Sequence, residues 1–234
     1  MGSSEAIFTI KILGIDIPIY FSVIAQWIIM ALIMIAVPIL TKNLKLVPTT
    51  GRQIFVETVV EKINSLVKGN MEEEYKGFAP FFGTLIIYLL LMNLFGLTGF
   101  RPPTADYSVA LGLAIISFVI IQVNAIVHSG ILGYFKGYAK PFWFMIPLNI
   151  IERLVVPVSL SLRLFGNITA AVIMMELLYE GLEFLSHVLH LKIPVFATFI
   201  PIPFHIYFDL FDGTIQMFIF VMLTMIFIKT TSEH

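Results

Sequence analysis

Residues 19–40 read IYFSVIAQWIIMALIMIAVPIL, a run of 22 residues without a charged side chain. A helix needs about 20 apolar residues to cross the hydrocarbon core of a bilayer. A secretory signal would instead begin with basic residues and carry an apolar core of about 7–15 residues. Here the preceding segment carries Glu5, Lys11 and Asp16. We therefore interpret the run as a retained transmembrane helix.

The composition of the whole chain agrees with a membrane protein. Its 234 residues are 59% hydrophobic and only 12% charged, whereas soluble domains average about 25% charged residues. The net charge of -1 provides no basic surface for phosphates. The absence of cysteine excludes disulfides and thiol chemistry. These values argue against a soluble enzyme, a disordered chain and a nucleic-acid-binding protein.

Four further apolar runs cover residues 78–100, 107–132, 142–191 and 193–228. Together with the first run, they predict an all-α, polytopic membrane protein with about five membrane-crossing helices. The run at 142–191 is interpreted as one long or bent element that returns to the outer face. Because no repeat, low-complexity stretch or linker interrupts the chain, residues 1–234 are expected to form a single membrane-embedded domain.

The segment between the first two runs, residues 41–77, is rich in lysine and glutamate. Apolar side chains recur at helical spacing from Ile54 to Val67, beside charged ones such as Glu57 and Lys68. This pattern predicts an amphipathic helix at the membrane surface. An ordinary solvated helix of a loop remains an alternative.

The basic residues predict the orientation, since cytoplasmic loops carry an excess of lysine and arginine. One side would hold nine of them, namely Lys42, Lys45, Arg52, Lys62, Lys68, Lys76, Lys136, Lys140 and Lys229. The other side would hold three, namely Lys11, Arg101 and Lys192. We therefore expect the amino terminus outside and the carboxyl terminus in the cytoplasm.

Arg163 is the residue that most needs a function. It lies in the stretch VSLSLRLFGN at 158–167, where it is the sole formal charge. An arginine at the centre of a membrane helix costs at least about 2.5–3.5 kcal/mol, and it cannot escape by losing its proton. A side chain that snorkels to the interface fits poorly, because the apolar flanks are long on both sides. The remaining alternative without a role in function is a structural ion pair.

A helical projection of this region places two polar groups on opposite faces. Asn149, Glu152, Ser159 and Asn167 fall within about 40° of Arg163. A second group falls roughly 200–240° away and comprises Thr169, Glu176, Glu183 and His187. We expect one face to meet a partner and the other a water-filled path. Glu176 is assigned to that path, whereas Glu183 and His187 are expected to be solvated at the outer end.

The last apolar run carries a second polar series, His205, Asp209, Asp212 and Gln216, spaced by four, three and four residues. In an α-helix this spacing forms one stripe. We interpret the stripe as the wall of a hydrated half-channel from the outer surface. A metal site is the weaker alternative, because a single helix spreads these ligands too far along its axis. No metal or cofactor is therefore predicted.

The residues leave two other functions to consider, an ion carrier and a hydrolase. A self-contained ion carrier would pair Arg163 with Glu176 or Asp209 of the same chain and need no partner subunit. An intramembrane hydrolase would need a metal or a nucleophile set, and none of the five histidines forms a His-Glu-x-x-His pair. The hydrolase is therefore rejected.

Four stretches resemble subunit a of F-type ATP synthases over most of the chain, from about residue 19 to the end. Residues 157–167, PVSLSLRLFGN, resemble the signature of that family, and residues 214–224, TIQMFIFVMLT, resemble its final helix. Residues 93–97 with 103–106 resemble the link between its second and third helices. Residues 146–152, IPLNIIE, resemble the entry to its long helix.

The resemblance implies a non-catalytic subunit: the stationary ion channel of a bacterial ATP synthase, in the cell membrane. Its partners would be the rotating c-ring, the peripheral-stalk subunit b and the lipid bilayer, and its ion would be H⁺ or Na⁺. Arg163 would face the carboxylate of the ring, with Asn167 and Gln216 flanking it. Two offset half-channels would reach the ring, and the last two long helices would lie strongly tilted against it.

Two positions depart from the family pattern. Where the family often has an acidic residue, nine positions after the arginine, this chain has Val172, and Glu176 one turn further on is expected to replace it. Seven residues before Gln216 the family often has histidine or an acid, and this chain has Asp209. The arginine is therefore the firmest part of the predicted site.

Overall fold

The computed structural model describes residues 7–12, 15–138, 142–189 and 195–232. It begins with an antiparallel hairpin of β1 (Phe8–Ile12) and β2 (Ile15–Ile19). The apolar pattern did not predict this hairpin, whose strands are rich in isoleucine, a residue that favours extended backbone. The rest is helical, at 87% of the structure, which confirms the predicted all-α membrane class.

The helices follow in chain order and vary widely in length. They are α1 (Phe21–Thr41), α2 (Gly51–Met71), α3 (Ala79–Leu94), α4 (Tyr107–Gly137), α5 (Ile146–Val188), α6 (Val195–Phe199), α7 (Pro201–His205) and α8 (Gly213–Ser232). A π-helical segment, Ile206–Asp212, joins α7 to α8. Short 3₁₀ turns lie at Glu73–Phe78, Phe95–Thr98, Pro103–Ala105 and Trp143–Met145.

Five helices of the described ranges are long and apolar enough to cross a membrane, which confirms the predicted number. The fourth of them runs unbroken over Trp143–Val188, as expected, and the fifth over Phe196–Ser232. Helix α2 forms where the amphipathic pattern predicted it and is not one of the five. Lys140, Lys192 and the start of the last run at Ile193 lie outside the described residues.

Asp106 fixes the start of α4 and joins it to α1. Its carboxylate accepts hydrogen bonds from the backbone N–H of Ser108 at 3.1 Å and from its hydroxyl at 2.7 Å, which caps the helix. It also accepts a bond from the Ser22 hydroxyl of α1 at 2.8 Å. Partial burial opposes ionisation, but these bonds and the charge of Arg101 outweigh it and lower the pKa of Asp106.

Helix α4 bends at Gly130, where the backbone has φ 68° and ψ 161°. This left-handed backbone is open to glycine without the steric cost that a Cβ would impose. The last turns of α4, up to Gly137, therefore continue in a new direction beyond the predicted end of the apolar run at 132.

One buried cluster joins α2, α3, α4, α5 and α8. Its fully enclosed side chains include Met71, Phe82, Leu89, Ile121, Leu160, Leu164, Phe220 and Met225. Helix α1 stands at the edge of this bundle, since only Ala25 and Ile29 are buried in it. Many of its large apolar side chains, such as Met34 at 74% exposure, face outward. Such a surface suits lipid or another membrane helix.

Asn93 holds three elements together inside the bundle. Its side-chain amide donates to the backbone carbonyl of Gly213 at 2.8 Å, and its carbonyl oxygen accepts from the Thr104 hydroxyl at 3.0 Å. Asn93 is 1% exposed and Thr104 is fully buried. The bonds thus fix the end of α3 to the α3–α4 link and to the start of α8.

Candidate functional site

Arg163 lies near the middle of α5 and projects away from the core. Its neighbours Leu160 and Leu164 are buried, whereas Arg163 and Leu162 are exposed. In the described part of the chain, no carboxylate lies within 4.0 Å of its guanidinium and no hydrogen bond to it is formed. The cation is therefore available to a group outside this chain, and the intrachain pairing with Glu176 or Asp209 is absent.

Asn167, one turn beyond Arg163, connects α5 to the last helix. Its amide nitrogen donates to Asp212 Oδ2 at 2.7 Å. Both side chains are half-buried. Gln216, one turn further along α8, is 4% exposed. The structure therefore brings Asn167 and Asp212 together. Gln216, four residues after Asp212, is buried inside the bundle.

Asp209 and His205 form a second contact, on the amino-terminal side of Asp212 along the chain. His205 Nδ1 lies 2.5 Å from Asp209 Oδ2, and the His205 side chain is 32% exposed against 13% for Asp209. Gly96, at the end of α3, packs on the same carboxylate, because a Cβ there would lie 2.9 Å from Asp209 Oδ1. Asp209 is thus enclosed by the last helix and the α3–α4 link.

The π-helical segment changes the stripe that the sequence predicts. A π-helix pairs each residue with the fifth one along rather than the fourth, so its turn is wider. Asp209 contacts Gly96 and His205, whereas Asp212 contacts Asn167 of α5. Asp209 and Asp212 therefore face different neighbours, the α3–α4 link and α5, although the predicted stripe places them on one face.

Glu152 and Ser159 line a separate cavity of about 670 Å³ at the other end of α5. It also touches α8, through Phe227, Thr230 and Thr231, and the end of α4, at Gly137. Ser159 lies one turn before Arg163 along α5. The cavity therefore extends from the carboxyl-terminal end of α8 toward the arginine.

The acidic face of α5 remains open. Glu176, Glu183 and His187 are exposed, and no ion pair joins them to other described residues. Thr169, on the same face, donates to the backbone carbonyl of Ala105 at 3.5 Å. This face therefore lies beside the α3–α4 link at one point, while the role of Glu176 stays a prediction.

Arg153 and Tyr179 take part in polar contacts that the sequence did not predict. The Arg153 guanidinium lies over the rings of Tyr134 and Tyr138, at 4.9 and 4.4 Å from their centroids. It also donates to Gln122 Oε1 at 3.3 Å. The Tyr179 hydroxyl lies 3.0 Å from His205 Nε2. In both cases the partners are distant in sequence, so no spacing rule indicates the contact.

Comparison with known proteins gives a consistent result. The family model described as the ATP synthase A chain matches residues 23–229. The chain is 36% identical over 213 residues to ATP synthase subunit a of Moorella thermoacetica, covering 91% of this chain and 90% of that one. It is 33% identical to ATP synthase subunit a of Staphylococcus aureus (strain JH9) over the full length of both. It is 32% identical to the sodium-ion-specific ATP synthase subunit a of Propionigenium modestum, covering 91% and 74%.

Proposed function

The chain belongs to the ATP synthase A chain family, and from that premise we propose how its polar side chains move an ion. It is an ion-translocating membrane subunit of the synthase and not the subunit that forms ATP. In our proposal it is the stationary channel, in which two offset half-channels are separated by the guanidinium of Arg163. Ion flow through them would turn a ring of c subunits against this chain.

The guanidinium of Arg163 carries the proposal, because it is exposed and has no partner among the residues that the structure describes. A carboxylate that has bound its ion is neutral and can face lipid, whereas the empty, charged form must stay near water or near a cation. An arginine beside that carboxylate favours the charged form and so the release of the ion. The same fixed charge blocks a direct leak between the two half-channels. Arg163 thus acts as an electrostatic gate and takes no part in bond chemistry.

We assign the inner half-channel to the cavity lined by Glu152 and Ser159. It opens beside Thr230 and Thr231, close to the carboxyl terminus, and leads to within one turn of Arg163. The excess of basic residues in the loops on this side supports a cytoplasmic location. An ion that leaves the ring next to Arg163 would pass Ser159 and then the carboxylate of Glu152.

We assign the outer half-channel to the polar residues of the last helix. His205 and Asp209 lie toward its outer end, and Asp212 with Asn167 and Gln216 lies nearer to the level of Arg163. Glu176 contributes a further carboxylate on α5. An ion entering from outside would pass Asp209 before it reaches the ring. Each charge that crosses a potential of 100 mV releases about 2.3 kcal/mol, which drives the rotation in one direction.

The partners and the location follow from the same proposal. The c-ring would cover the exposed face of α5 around Arg163, with the last two long helices tilted against it. The peripheral-stalk subunit b and lipid would cover the outward surface of α1. Residues 1–234 would form one domain in a bacterial cell membrane, with the amino terminus outside. The buried cluster that joins five helices supports the single domain.

Replacement of Arg163 tests the gate directly. In purified synthase reconstituted into liposomes, we expect Arg163→Ala to reduce gradient-driven ATP synthesis to background while the assembled complex stays intact. Passive ion leak through the membrane sector should rise, because the barrier between the half-channels is lost. Arg163→Lys should retain the charge but lose the planar, always-ionised group, and is expected to be strongly impaired.

Glu183→Gln is the matched control, since Glu183 lies on the same helix and is exposed outside the proposed path. It should synthesise ATP at the wild-type rate. Normal coupled synthesis by Arg163→Ala would overturn the proposed gate.

A further inference from the structure

Two adjoining cavities lie between α1, α2 and α3, where α1 ends and α3 begins. The deeper one, here called the apolar groove, has a volume of about 580 Å³. Its lining is largely aliphatic and includes Ile33, Val37, Leu40, Val59, Ile63 and Ile87. The second cavity, here called the polar mouth, has a volume of about 850 Å³ and is lined by charged side chains, namely Glu57, Glu61, Lys68 and Lys76. The groove opens into the mouth, because both are lined by Thr41, Asn64 and Lys76.

We propose that these cavities bind one phospholipid with an ethanolamine headgroup. One of its acyl chains lies in the apolar groove, and its headgroup lies in the polar mouth. The site goes beyond the proposed function, since it moves no ion. It depends on that function only for its location: with the carboxyl terminus in the cytoplasm, the link between α1 and α2 faces the cytoplasm, and the lipid belongs to the inner leaflet.

The depth of the apolar groove fits a lipid better than a helix of another subunit. Its lining extends from Ile33 to Thr41 on α1 and from Ala79 to Ile87 on α3. At 1.5 Å per residue, each of these stretches is about 12 Å long. The hydrocarbon core is about 30 Å thick, so a single leaflet contributes about 15 Å. An acyl chain fills a groove of this depth, whereas a transmembrane helix would need contacts across both leaflets.

Lys76 and Asn64 are the groups that can hold the phosphate at the junction of groove and mouth. Among the described residues that line the apolar groove, Lys76 is the single charged one. The hydroxyls of Thr41 and Thr84 donate instead to backbone carbonyls of their own helices, at 2.8 and 2.9 Å. The Asn64 amide forms no hydrogen bond to a described residue. The amide and the Lys76 ammonium can therefore both donate to phosphate oxygens.

Lys76 keeps donors for this phosphate although it already forms an ion pair. Its Nζ lies 2.9 Å from Glu73 Oε1, and Lys68 Nζ lies 3.4 Å from the same oxygen. A lysine ammonium has three N–H donors, so a carboxylate oxygen shared by two lysines leaves further donors on each. The Lys76 side chain is 48% exposed, so a phosphate in the mouth can reach it.

Glu61 and Glu57 are positioned for the ammonium of the headgroup. Glu61 precedes Asn64 by three residues on α2, and residues at this spacing are neighbours on the surface of a helix. A phosphate held at Asn64 therefore has a carboxylate beside it, within the short span of a two-carbon ethanolamine link. Glu57 lies one turn before Glu61 and lines the same mouth. The Gln53 amide donates to Glu57 Oε1 at 2.6 Å, and the other oxygen of Glu57 can accept from the ammonium.

The charges of the mouth favour a zwitterionic headgroup over an anionic one. Its lining holds two lysines and two glutamates, and Glu73 adds a third carboxylate next to the lysines. A lipid with a net negative charge would increase this excess of carboxylates. Phosphatidylethanolamine adds no net charge, and its primary ammonium can donate to Glu61. Phosphatidylcholine is also zwitterionic, but its trimethylammonium has no N–H donor.

The test uses the purified synthase in detergent and a phosphatidylethanolamine with a photoreactive group in one acyl chain. After illumination, the cross-linked peptides are identified by mass spectrometry. We expect the label on residues 33–40 of α1 and 79–87 of α3. Unlabelled phosphatidylethanolamine should compete better than phosphatidylcholine or phosphatidylglycerol with the same chains. No cross-link in these segments, or equal competition by the three lipids, would overturn the site.

Substitutions in the mouth separate the two ends of the headgroup. Lys76→Gln should weaken binding about fivefold, the upper end of the range for an exposed ion pair. Glu61→Gln should still bind the lipid but no longer distinguish ethanolamine from choline. Lys62→Gln is the matched control and should bind as the wild type, because Lys62 is exposed beside Glu61 and lines neither cavity.

Equal binding by Lys76→Gln and Lys62→Gln would overturn the assignment of the phosphate. If Lys76→Gln does not assemble, Glu61→Gln still decides, since Glu61 is exposed and bonds to no described residue. A wild-type preference for ethanolamine in Glu61→Gln would overturn the assignment of the ammonium.

A photoreactive side chain at position 37 identifies what fills the groove. Val37 lines it and is 45% exposed, so Val37→p-benzoylphenylalanine should link to lipid. A link to another subunit would show that a protein helix lies there and would overturn the lipid site.

These measurements do not depend on ion flow, so the site and the proposed function fail separately. Arg163→Ala should bind the lipid as the wild type does while ATP synthesis is lost. Loss of the lipid site would leave the gate standing, and an active Arg163→Ala would overturn the gate and leave the lipid site standing.

Discussion

Arg153 and Arg163 lie ten residues apart on the same helix, and their surroundings are opposite. Arg153 is stacked on Tyr134 and Tyr138 and bonded to Gln122, so its charge is compensated inside the chain. Arg163 has no such cover in the described structure. A cation in a membrane helix is costly, and in our proposal a negative group of the c-ring lies against the uncovered one.

The bond between Asn167 and Asp212 allows a swap experiment. Asn167→Asp places a second carboxylate about where the amide lies 2.7 Å from Asp212, and like charges at this distance disfavour each other. We expect this variant to lose coupled synthesis. Asn167→Asp combined with Asp212→Asn restores one amide and one carboxylate, and should recover most of the rate.

A double-mutant cycle on thermal stability should give a coupling of about 0.5–3 kcal/mol between the two positions. Equal impairment of the single and the double variant would show that the positions act separately.

Single residues differ in how far the sequence predicts them. Arg163, Asp209 and Glu176 stand out because ionisable groups in apolar runs are costly and therefore rare. Tyr179 does not stand out, since a phenol within an apolar run is common and its partner is 26 residues away. The contact of Gly96 with Asp209 is likewise invisible in the sequence, because it depends on how two distant segments pack.

At the scale of elements, the apolar runs predict the five long helices well, and the local backbone is the part they miss. The π-helical segment at Ile206–Asp212 and the bend at Gly130 arise from packing and backbone geometry rather than from hydrophobic spacing. The spacing of four, three and four therefore predicts a single common face in the last helix, whereas the structure turns Asp209 and Asp212 toward different neighbours.

Loss of the Asn93 side chain should loosen the packing of α3 against the α3–α4 link and α8. Asn93→Leu removes the donor to the Gly213 carbonyl and the acceptor for Thr104, both buried. A buried polar group left without a partner costs about 1–3 kcal/mol. We expect this chain to be released from the heated complex at a clearly lower temperature.

Asn70→Leu is the comparison for that experiment, because Asn70 donates to the Leu66 carbonyl of its own helix at 2.7 Å and to no other described residue. Its melting should stay close to that of the wild type. An Asn93→Leu complex as stable as Asn70→Leu would contradict the bridging role.

At the scale of the whole molecule, the distribution of exposed apolar surface separates α1 from the rest. The apolar segment of α1 is 11% buried, whereas those of α4 and of the last helix are 44% buried. Helix α1 is therefore joined to the bundle along a narrow strip, supported by the Ser22–Asp106 bond at its amino-terminal end. Lipid or another subunit must enclose most of it.

The orientation of the whole chain is testable by labelling, because the chain has no cysteine. We expect Thr98→Cys, in the α3–α4 link, to react with a membrane-impermeant maleimide added to intact cells. Thr230→Cys, near the end of α8, should react only after permeabilisation. The basic residues favour this arrangement, since they concentrate on the side of Thr230. The reverse labelling pattern would invert the proposed orientation.

The wide turn at Ile206–Asp212 makes the last helix behave as two pieces with separate registers. An α-helix advances by about 100° per residue. Loss of one residue within this turn would therefore rotate α7 and the residues before it, while Gln216 and the rest of α8 kept their positions. His205 would then no longer meet Tyr179. A single deletion or insertion in this turn would therefore change the contacts of α7 and leave those of α8 as they are.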